Sequence, residues 1–325
     1  MKILLTHTPH MRDNYYGARA LSGLQSLGEV VLHQGSETLA GPALIAAAQG
    51  CDLIVADRAT ALPAAMFDAL TSLRVALRCA VDIRNIDVAS ASSHGILVTR
   101  AKPGFVESVT ELVFGFLVDL NRGISSATAA YQAGRTPTAR MGRQLAGTTI
   151  GIIGYGAIGR AVAPLAAAMG MRVLISDPYV TIEEPDFHQV DFETLLADSD
   201  HVVCLAIAVE ATENLINAQA LARMRRDAVF INVSRGNLVD EAALAAALAE
   251  GRIAGAALDV GRAPDQMPTP AIAGLPHVIA TPHIGGLTPP AIEAQALHTV
   301  EQVRALVSGA VPDGAVNTAS WTRRI

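Results

Sequence analysis

The chain lacks the features that would tie it to an oxidising compartment, a membrane or a polyanion. It has three cysteines in 325 residues, Cys51, Cys79 and Cys204. They show neither CxxC nor metal-ligand spacing, so they read as small buried hydrophobes in a reducing compartment, and no metal site is expected. Aromatic residues make up only 4 %, which favours close Ala/Gly packing of helix on sheet over aromatic platforms. Lys and Arg (24) are outnumbered by Asp and Glu (30), for a formal charge of −6. No basic stripe is available to neutralise phosphates, which argues against nucleic acid as a partner. The longest apolar windows, such as 111–120, are broken by charges well short of the roughly 20 residues of a membrane span. The opening MKILLTHTPHM is too short for a signal core and reads as a first buried strand. These absences point to a cytoplasmic protein.

Half of the residues are apolar (51 %), enough for a large core and for two domains. Short apolar runs alternate with helical patterns throughout. KILLT (2–6), EVVLH (29–33), DLIVA (52–56), RVALR (74–78) and GILVT (95–99) form a first series of strands. A long amphipathic helix is predicted over about 105–132, after Pro103-Gly104. A second series runs through TTIGIIG (148–154), RVLISD (172–177), DHVVCLAIA (200–208), AVFINVS (228–234), IAGAALDV (253–260) and HVIATP (277–282). A last helix extends from Pro290 to about Ser308. This rhythm predicts an α/β fold of two Rossmann-like, doubly wound domains with parallel sheets covered on both faces. Residues 1–99 and 291–325 are assigned to a discontinuous, flavodoxin-like substrate-binding domain, and 100–290 to a dinucleotide-binding domain.

GYGAIG fits GxGxxG at Gly154, Gly156 and Gly159, with Ala157 and Ile158 opening the helix behind it. The motif follows a strand and precedes an Ala-rich helix, the context in which glycines allow a tight turn, close approach of a pyrophosphate and close helix–strand packing. The helix N-terminus adds unpaired N–H groups and a partial positive charge. The next strand ends at Asp177, close to the ~20-residue distance at which an acid takes the ribose hydroxyls. An acid there repels a 2′-phosphate, and Pro178 and Tyr179 supply no cation. NAD(H) is therefore favoured over NADP(H).

INVSRGNLVDEAALAAALAEGRIAGAALDV (231–260) and ATPHIGG (280–286) resemble the D-isomer-specific 2-hydroxyacid dehydrogenase family. The resemblance is clear over about 70–325 and extends to the first 70 residues only in rhythm. It implies that Arg235 binds the substrate carboxylate and polarises the ketone, and that His283 exchanges a proton with the substrate oxygen. By the same resemblance Asp259 faces the nicotinamide amide, Thr212 contacts the pyrophosphate, the backbone at Val233 and Ser234 lies under the nicotinamide, and Gly285 belongs to the cofactor site. A homodimer is also implied, and the two long helices offer apolar faces for it. The physical chemistry agrees. An Arg grips a carboxylate bidentately and keeps its charge, and a His titrates near neutrality and can serve in both directions.

The chain departs from the family in three places. Family members carry a Glu that pairs with the His; counted from Asp259, its position falls on Pro264, and the acid comes one residue later at Asp265. Either the Asp265 carboxylate reaches His283, or Asp265 caps a turn and His283 works without a close acid. The loop RCAVDIRNID (78–87) lacks the usual glycines, so that Val81 and Asp82 stand where backbone N–H groups meet the substrate, with Arg84 replacing an acid. Arg100 and Lys102 follow nearby. These cations either read a second anionic group on the substrate or form a solvated face paired with Asp82 and Glu107. In THTPHMRDNYYG (6–17), His10, Arg12, Tyr15 and Tyr16 either line the substrate site or form an ordered surface loop. Leu205 and Ile207 replace a His and a Pro ahead of Thr212. The leading reading is an NAD-dependent D-2-hydroxyacid dehydrogenase acting mainly as a 2-oxo acid reductase. Oxidation of a small anion of the formate or phosphite type, or an NADH-sensing regulator with little turnover, are the alternatives.

Overall fold

A computed structural model describes all residues, 1–325. The chain divides into two compact units, Met1–Phe105 with Thr288–Ile325, and Val106–Leu287. Each is a parallel α/β sandwich, and no peptide bond is cis.

The first unit contains strands β1 (Lys2–Leu5), β2 (Glu29–Leu32), β3 (Leu53–Ala56), β4 (Val75–Arg78) and β5 (Leu97–Arg100). They pair in the order β2-β1-β3-β4-β5, all parallel. Side chains alternate between the faces as a pleated strand requires. Ile3 and Leu5 pack on one face with Tyr16, Leu24 and Val300, while Leu4 packs on the other with Leu44 and Phe67. Both faces are dry, which is why these strands read as continuous apolar runs. The helix Pro289–Val307 returns to this unit, where Val300 sits against Gly23 of the helix Ala18–Gln25.

The second unit contains β6 (Thr149–Ile153), β7 (Arg172–Ser176), β8 (Phe187–Gln189), β9 (His201–Cys204), β10 (Val229–Asn232), β11 (Gly255–Leu258) and β12 (Val278–Ala280). Their order is β12-β11-β10-β9-β6-β7-β8. The order reverses between β6 and β9, the switch point at which open α/β sheets take ligands beyond their strand ends.

Three local expectations change. The predicted helix over 105–132 is two helices, Val106–Arg122 and Ile124–Gln132. Gly123 separates them with φ +67°, a left-handed conformation that ends a helix and suits glycine. The short edge strand β8 carries too few residues for a periodicity signal. Within 6–17 the chain forms the helix Pro9–Tyr15, capped by the Thr8 hydroxyl. Arg12 is spent there on the carbonyls of His7 and His33 (2.9 and 2.5 Å), and buried Tyr16 shares a hydrogen bond with Thr299 (2.9 Å). Both side chains hold the fold, Tyr16 from within the core, which is neither the substrate-lining loop nor the surface loop expected. No helix is long and apolar enough to cross a membrane.

Candidate active site

The turn after β6 shows why its three glycines are there. Gly154 adopts φ +96°, and a Cβ on it would lie 2.8 Å from the Leu205 carbonyl. A Cβ on Gly159 would lie 2.5 Å from the Gly154 oxygen, so the helix Ala157–Ala168 approaches the strand only because that atom is missing. A Cβ on Gly156 would meet nothing within 4 Å. The first and third glycines are thus demanded by packing, whereas the second keeps space open at a helix N-terminus. That open, N–H-rich space fits a dinucleotide pyrophosphate. Asp177, one residue beyond β7, accepts the N–H groups of Tyr155 (2.7 Å) and Tyr179 (2.9 Å) through its two oxygens. Each oxygen keeps acceptor capacity for a hydroxyl donor. The second residue of the motif is anchored separately. Tyr155 is buried, its hydroxyl donates to Glu184 (3.1 Å), and the Arg160 guanidinium stacks 4.4 Å above its ring.

On the other side of the switch point, the Thr212 hydroxyl closes the loop after β9. It is shared between the carbonyls of Ile207 and Val209 (2.8 and 3.0 Å) and accepts the Val209 N–H (2.9 Å). After β10 the turn is built by Asn232, a residue the motif reading passed over. Its side chain is buried; it accepts the Ser234 N–H (3.1 Å) and donates to the Arg235 carbonyl (2.9 Å). An Asn at a strand end is a turn-forming signal that could have been read from the sequence. Ser234 donates to the Ala206 carbonyl (2.7 Å), Val233 is buried, and Arg235 projects half-buried with Nη1 on the Ser234 carbonyl (2.7 Å).

Asp259, just past β11, is almost wholly buried. It accepts the Thr281 hydroxyl (2.6 Å) and the Ile284 N–H (2.7 Å) on one oxygen and the Gly285 N–H (2.8 Å) on the other. These three bonds pin the segment 281–285 on both sides of His283, which adopts φ +57°. Gly285 is small because a Cβ there would press within 2.9 Å of Asp259 Oδ2. Arg235 and His283 each stand three residues beyond their strands, β10 and β12, which flank β11. With strands about 4.8 Å apart, they leave the same sheet edge within about 10 Å of each other laterally, in line with the glycine turn.

His283 meets Asp265 through the main chain. Its Nδ1 lies 2.7 Å from the Asp265 carbonyl oxygen, which can only accept. The contact expected of the carboxylate is thus made by the peptide, and the Asp265 side chain is exposed. The backbone explains this. Asp265 and Gln266 are consecutive left-handed residues (φ +56° and +59°) in the turn Pro264–Gln266, which rotates the carbonyl toward the imidazole. Such a conformation costs non-glycine residues on the order of 1–2 kcal/mol each.

In the first unit the residues proposed to read a second anion separate. Arg84 forks onto Asp82 (Nη2–Oδ2 2.6 Å), and Asp82 also accepts the Arg84 N–H (3.0 Å) in a turn next to Val81. Lys102 pairs with Asp313 (2.8 Å), not with Glu107, and this raises the lysine's pKa and lowers the aspartate's. Arg100, exposed at the end of β5, engages through its backbone only, with its N–H on the Gly314 carbonyl (2.9 Å) and its carbonyl on Gln302 (2.8 Å). Of the three cations, Arg100 alone keeps an uncompensated charge. No group of His, Cys, Asp and Glu side chains is arranged to hold a metal.

Fold and glycine turn together define a dinucleotide-binding α/β protein. Comparison with known proteins narrows the class. Residues 114–285 match the NAD binding domain of D-isomer specific 2-hydroxyacid dehydrogenases. The chain is 32 % identical over 322 residues to D-3-phosphoglycerate dehydrogenase of Methanocaldococcus jannaschii, covering 98 % of this chain and 59 % of that protein. It is 32 % identical over 310 residues to glyoxylate reductase of Korarchaeum cryptofilum, covering 92 % of each. Among solved structures, the TT0316 protein of Thermus thermophilus superimposes with a TM-score of 0.85 at 30 % identity, over 97 % of this chain and all of that one. The chain belongs to the D-isomer specific 2-hydroxyacid dehydrogenase family. It spans little more than half the length of the phosphoglycerate dehydrogenases it matches.

Proposed function

We propose that the chain interconverts a small D-2-hydroxy acid and its 2-oxo acid with NAD(H), working mainly as a reductase. The observation that supports this reading is that Arg235 and a pinned His283 follow β10 and β12 at the same carboxyl edge of the sheet as the glycine turn after β6. Bound NADH would supply the hydride to the substrate's C2. Gly154, Gly156, Ala157, Ile158 and Gly159 would cradle its pyrophosphate, with Thr212 holding the facing loop. Asp177 would take the ribose hydroxyls, and its charge disfavours a 2′-phosphate. Val233, Ser234, Asp259 and Gly285 would wall the nicotinamide end.

The chain's own residues then do three things. Arg235 holds the carboxylate by a charge-assisted fork, which also orients the neighbouring ketone. His283, its Nδ1–H donated to the Asp265 carbonyl, presents Nε2 as the atom that gives the proton to the developing alkoxide and takes it back in oxidation. Asp259 keeps the histidine segment in place. In this reading Asp265 serves through its peptide oxygen, so a neutral dipole stands in for the acid expected there. Within the first unit Arg84 and Lys102 are paired with Asp82 and Asp313, which leaves Arg100 as the cation that would read a second anionic group on the substrate. The exposed Ile124, Tyr131 and Met141 support pairing of two copies, and three buried free cysteines support a cytoplasmic location.

Incubation with NADH and a panel of 2-oxo acids, including glyoxylate, hydroxypyruvate and sulfopyruvate, tests this by loss of NADH absorbance. Turnover with at least one acid is expected, and it should collapse in Arg235→Met and His283→Gln. Tight NADH binding with no turnover on any acid would overturn the reading in favour of a regulator.

A further inference from the structure

The loop Gly261–Met267 carries the carbonyl that meets His283, and two successive left-handed residues do not hold themselves. Inside the loop, the Gly261 N–H donates to the Gln266 carbonyl (2.7 Å), the Ala263 N–H to Met267 (3.0 Å) and the Gln266 N–H to Ala263 (3.0 Å). Outside it, the bonding converges on one side chain, Arg262. Its Nη2 donates to Glu213 Oε1 (2.8 Å), Asn214 Oδ1 (2.6 Å) and the carbonyls of Asn237 and Val239 (both 3.1 Å). Its Nε reaches the Val239 carbonyl as well (3.2 Å), and its backbone N–H donates to Glu241 (3.0 Å). Glu241 in turn receives the Thr269 hydroxyl (3.1 Å) on the far side of the loop. The Glu213 carboxyl is held below the usual carboxylate range by the Asn237 amide and by Arg262.

Two of those acceptors matter for the site. Asn237 lies in the turn Gly236–Leu238, which follows Arg235 directly, and Val239 ends that turn. At the same point a Cβ on Gly236 would collide with the Gly261 carbonyl, so the two backbones are already in contact there. We infer that Arg262 is a positioning residue. It locks the loop that aims the Asp265 carbonyl at His283 onto the turn that carries Arg235, so the two groups are held in one register. The inference rests on the roles proposed above for Arg235 and His283. A guanidinium suits the task because its N–H groups spread over several acceptors from different segments and keep their charge.

The test compares the full-length protein with Arg262→Met, Arg262→Lys and Glu213→Gln. Long-range 1H–15N spectra of histidine-labelled protein report the His283 tautomer and its titration without turnover, the signal being assigned by His283→Gln. In parallel, kcat, KM and their pH dependence are measured for glyoxylate with NADH. The wild type should show the Nδ1–H tautomer. Arg262→Met should show mixed tautomers and a displaced titration. Its kcat should fall about ten- to a hundredfold, as expected for a misplaced reacting group, and KM for glyoxylate should rise, with NADH affinity unchanged. Arg262→Lys should restore part of each effect. A folded Arg262→Met with the wild-type tautomer, titration and pH profile would overturn the inference, whatever its melting temperature. If Arg262→Met does not fold, Glu213→Gln decides: a smaller shift in the same direction supports the inference and none overturns it. Should the wild type reduce no 2-oxo acid, the functional reading fails, and the spectra alone judge Arg262.

Discussion

The two units use one architecture and finish their sheet edges in opposite ways. Beyond β1, β3 and β4 of the first unit, buried polar groups bind each other, while Arg100 at the end of β5 stays exposed. Asp57 accepts the hydroxyls of Thr6 and Thr60 (both 2.5 Å) and the N–H groups of Ala59 and Thr60 (2.7 and 3.0 Å). Arg78, also buried, donates to the carbonyls of Asp57 (2.5 Å), Thr60 (2.9 Å), Arg58 and Asp82 (3.2 Å). In the second unit the structural work passes to the backbone and to a few buried anchors, Asn232 and Asp259. Glycines hold the turn open, while Arg235 rests on the Ser234 carbonyl and His283 on the Asp265 carbonyl. A parallel sheet does not by itself make a site. The difference lies in whether its carboxyl edge is filled by buried side chains bonded to each other or by a glycine turn that leaves space.

The largest expected effect falls on the proposed acid–base group of the second unit. His283→Gln should cut kcat for 2-oxo acid reduction by about 10²–10⁴-fold, the usual worth of a positioned acid–base group, and leave NADH binding intact by fluorescence titration. A similar loss of NADH binding would instead make the residue structural. The glycine turn offers a paired test. Gly159→Ala should lower the melting temperature, because its methyl has no room. Gly156→Ala should keep the wild-type melting temperature and lose NADH affinity, because its methyl enters open space. If both variants behave alike, the division between packing and ligand glycines is wrong.

A smaller effect concerns stability in acid, to which buried histidines of both units contribute, most strongly His7 in the first and His201 in the second. Burial lowers the His7 pKa to about 4, with the charges of Arg12 and Arg78 pushing the same way and Asp57 opposing. Burial likewise takes His201 to about 4, with Arg143 adding and Asp200 opposing. Unfolded histidines bind protons near pH 6.5 and these folded ones do not, so the unfolded state holds more protons throughout the interval. Stability is therefore intact at pH 7, falls as pH drops from about 6.5 to 4, and loses about 3 kcal/mol per histidine on an order-of-magnitude reckoning. Replacing His201 with Asn should flatten the melting temperature against pH in that window; an unchanged slope would show that the imidazole is already charged.

The sequence makes the repetitive parts of this molecule legible. Continuous apolar strands announce two doubly covered parallel sheets, and GYGAIG between strand and helix announces its own turn. Arg235 and His283 are visible through the motifs around them. What escapes is set by long-range geometry. Whether Asp265 offers a carboxylate or a carbonyl depends on two φ angles that no propensity specifies. Arg262 looks like an ordinary loop cation until Glu213, Asn214 and Asn237, distant in sequence, are folded around it. The break at Gly123 was in principle readable, since a glycine inside a helical pattern marks a candidate end. Lys102 finds Asp313 instead of Glu107 because the chain's last segment returns beside β5.

The smallest expected effect is also the most direct test of the account. Asp265→Asn removes the carboxylate and keeps the peptide carbonyl, and Asn tolerates the left-handed conformation that residue 265 requires. The measurement is the pH dependence of kcat for NADH-dependent 2-oxo acid reduction, wild type against this variant. If the carbonyl is the partner of His283, the two profiles superimpose. If the carboxylate holds the imidazole protonated, the variant's profile moves to lower pH by about one unit, with a several-fold loss of rate at pH 8, and the assignment of a neutral partner is wrong.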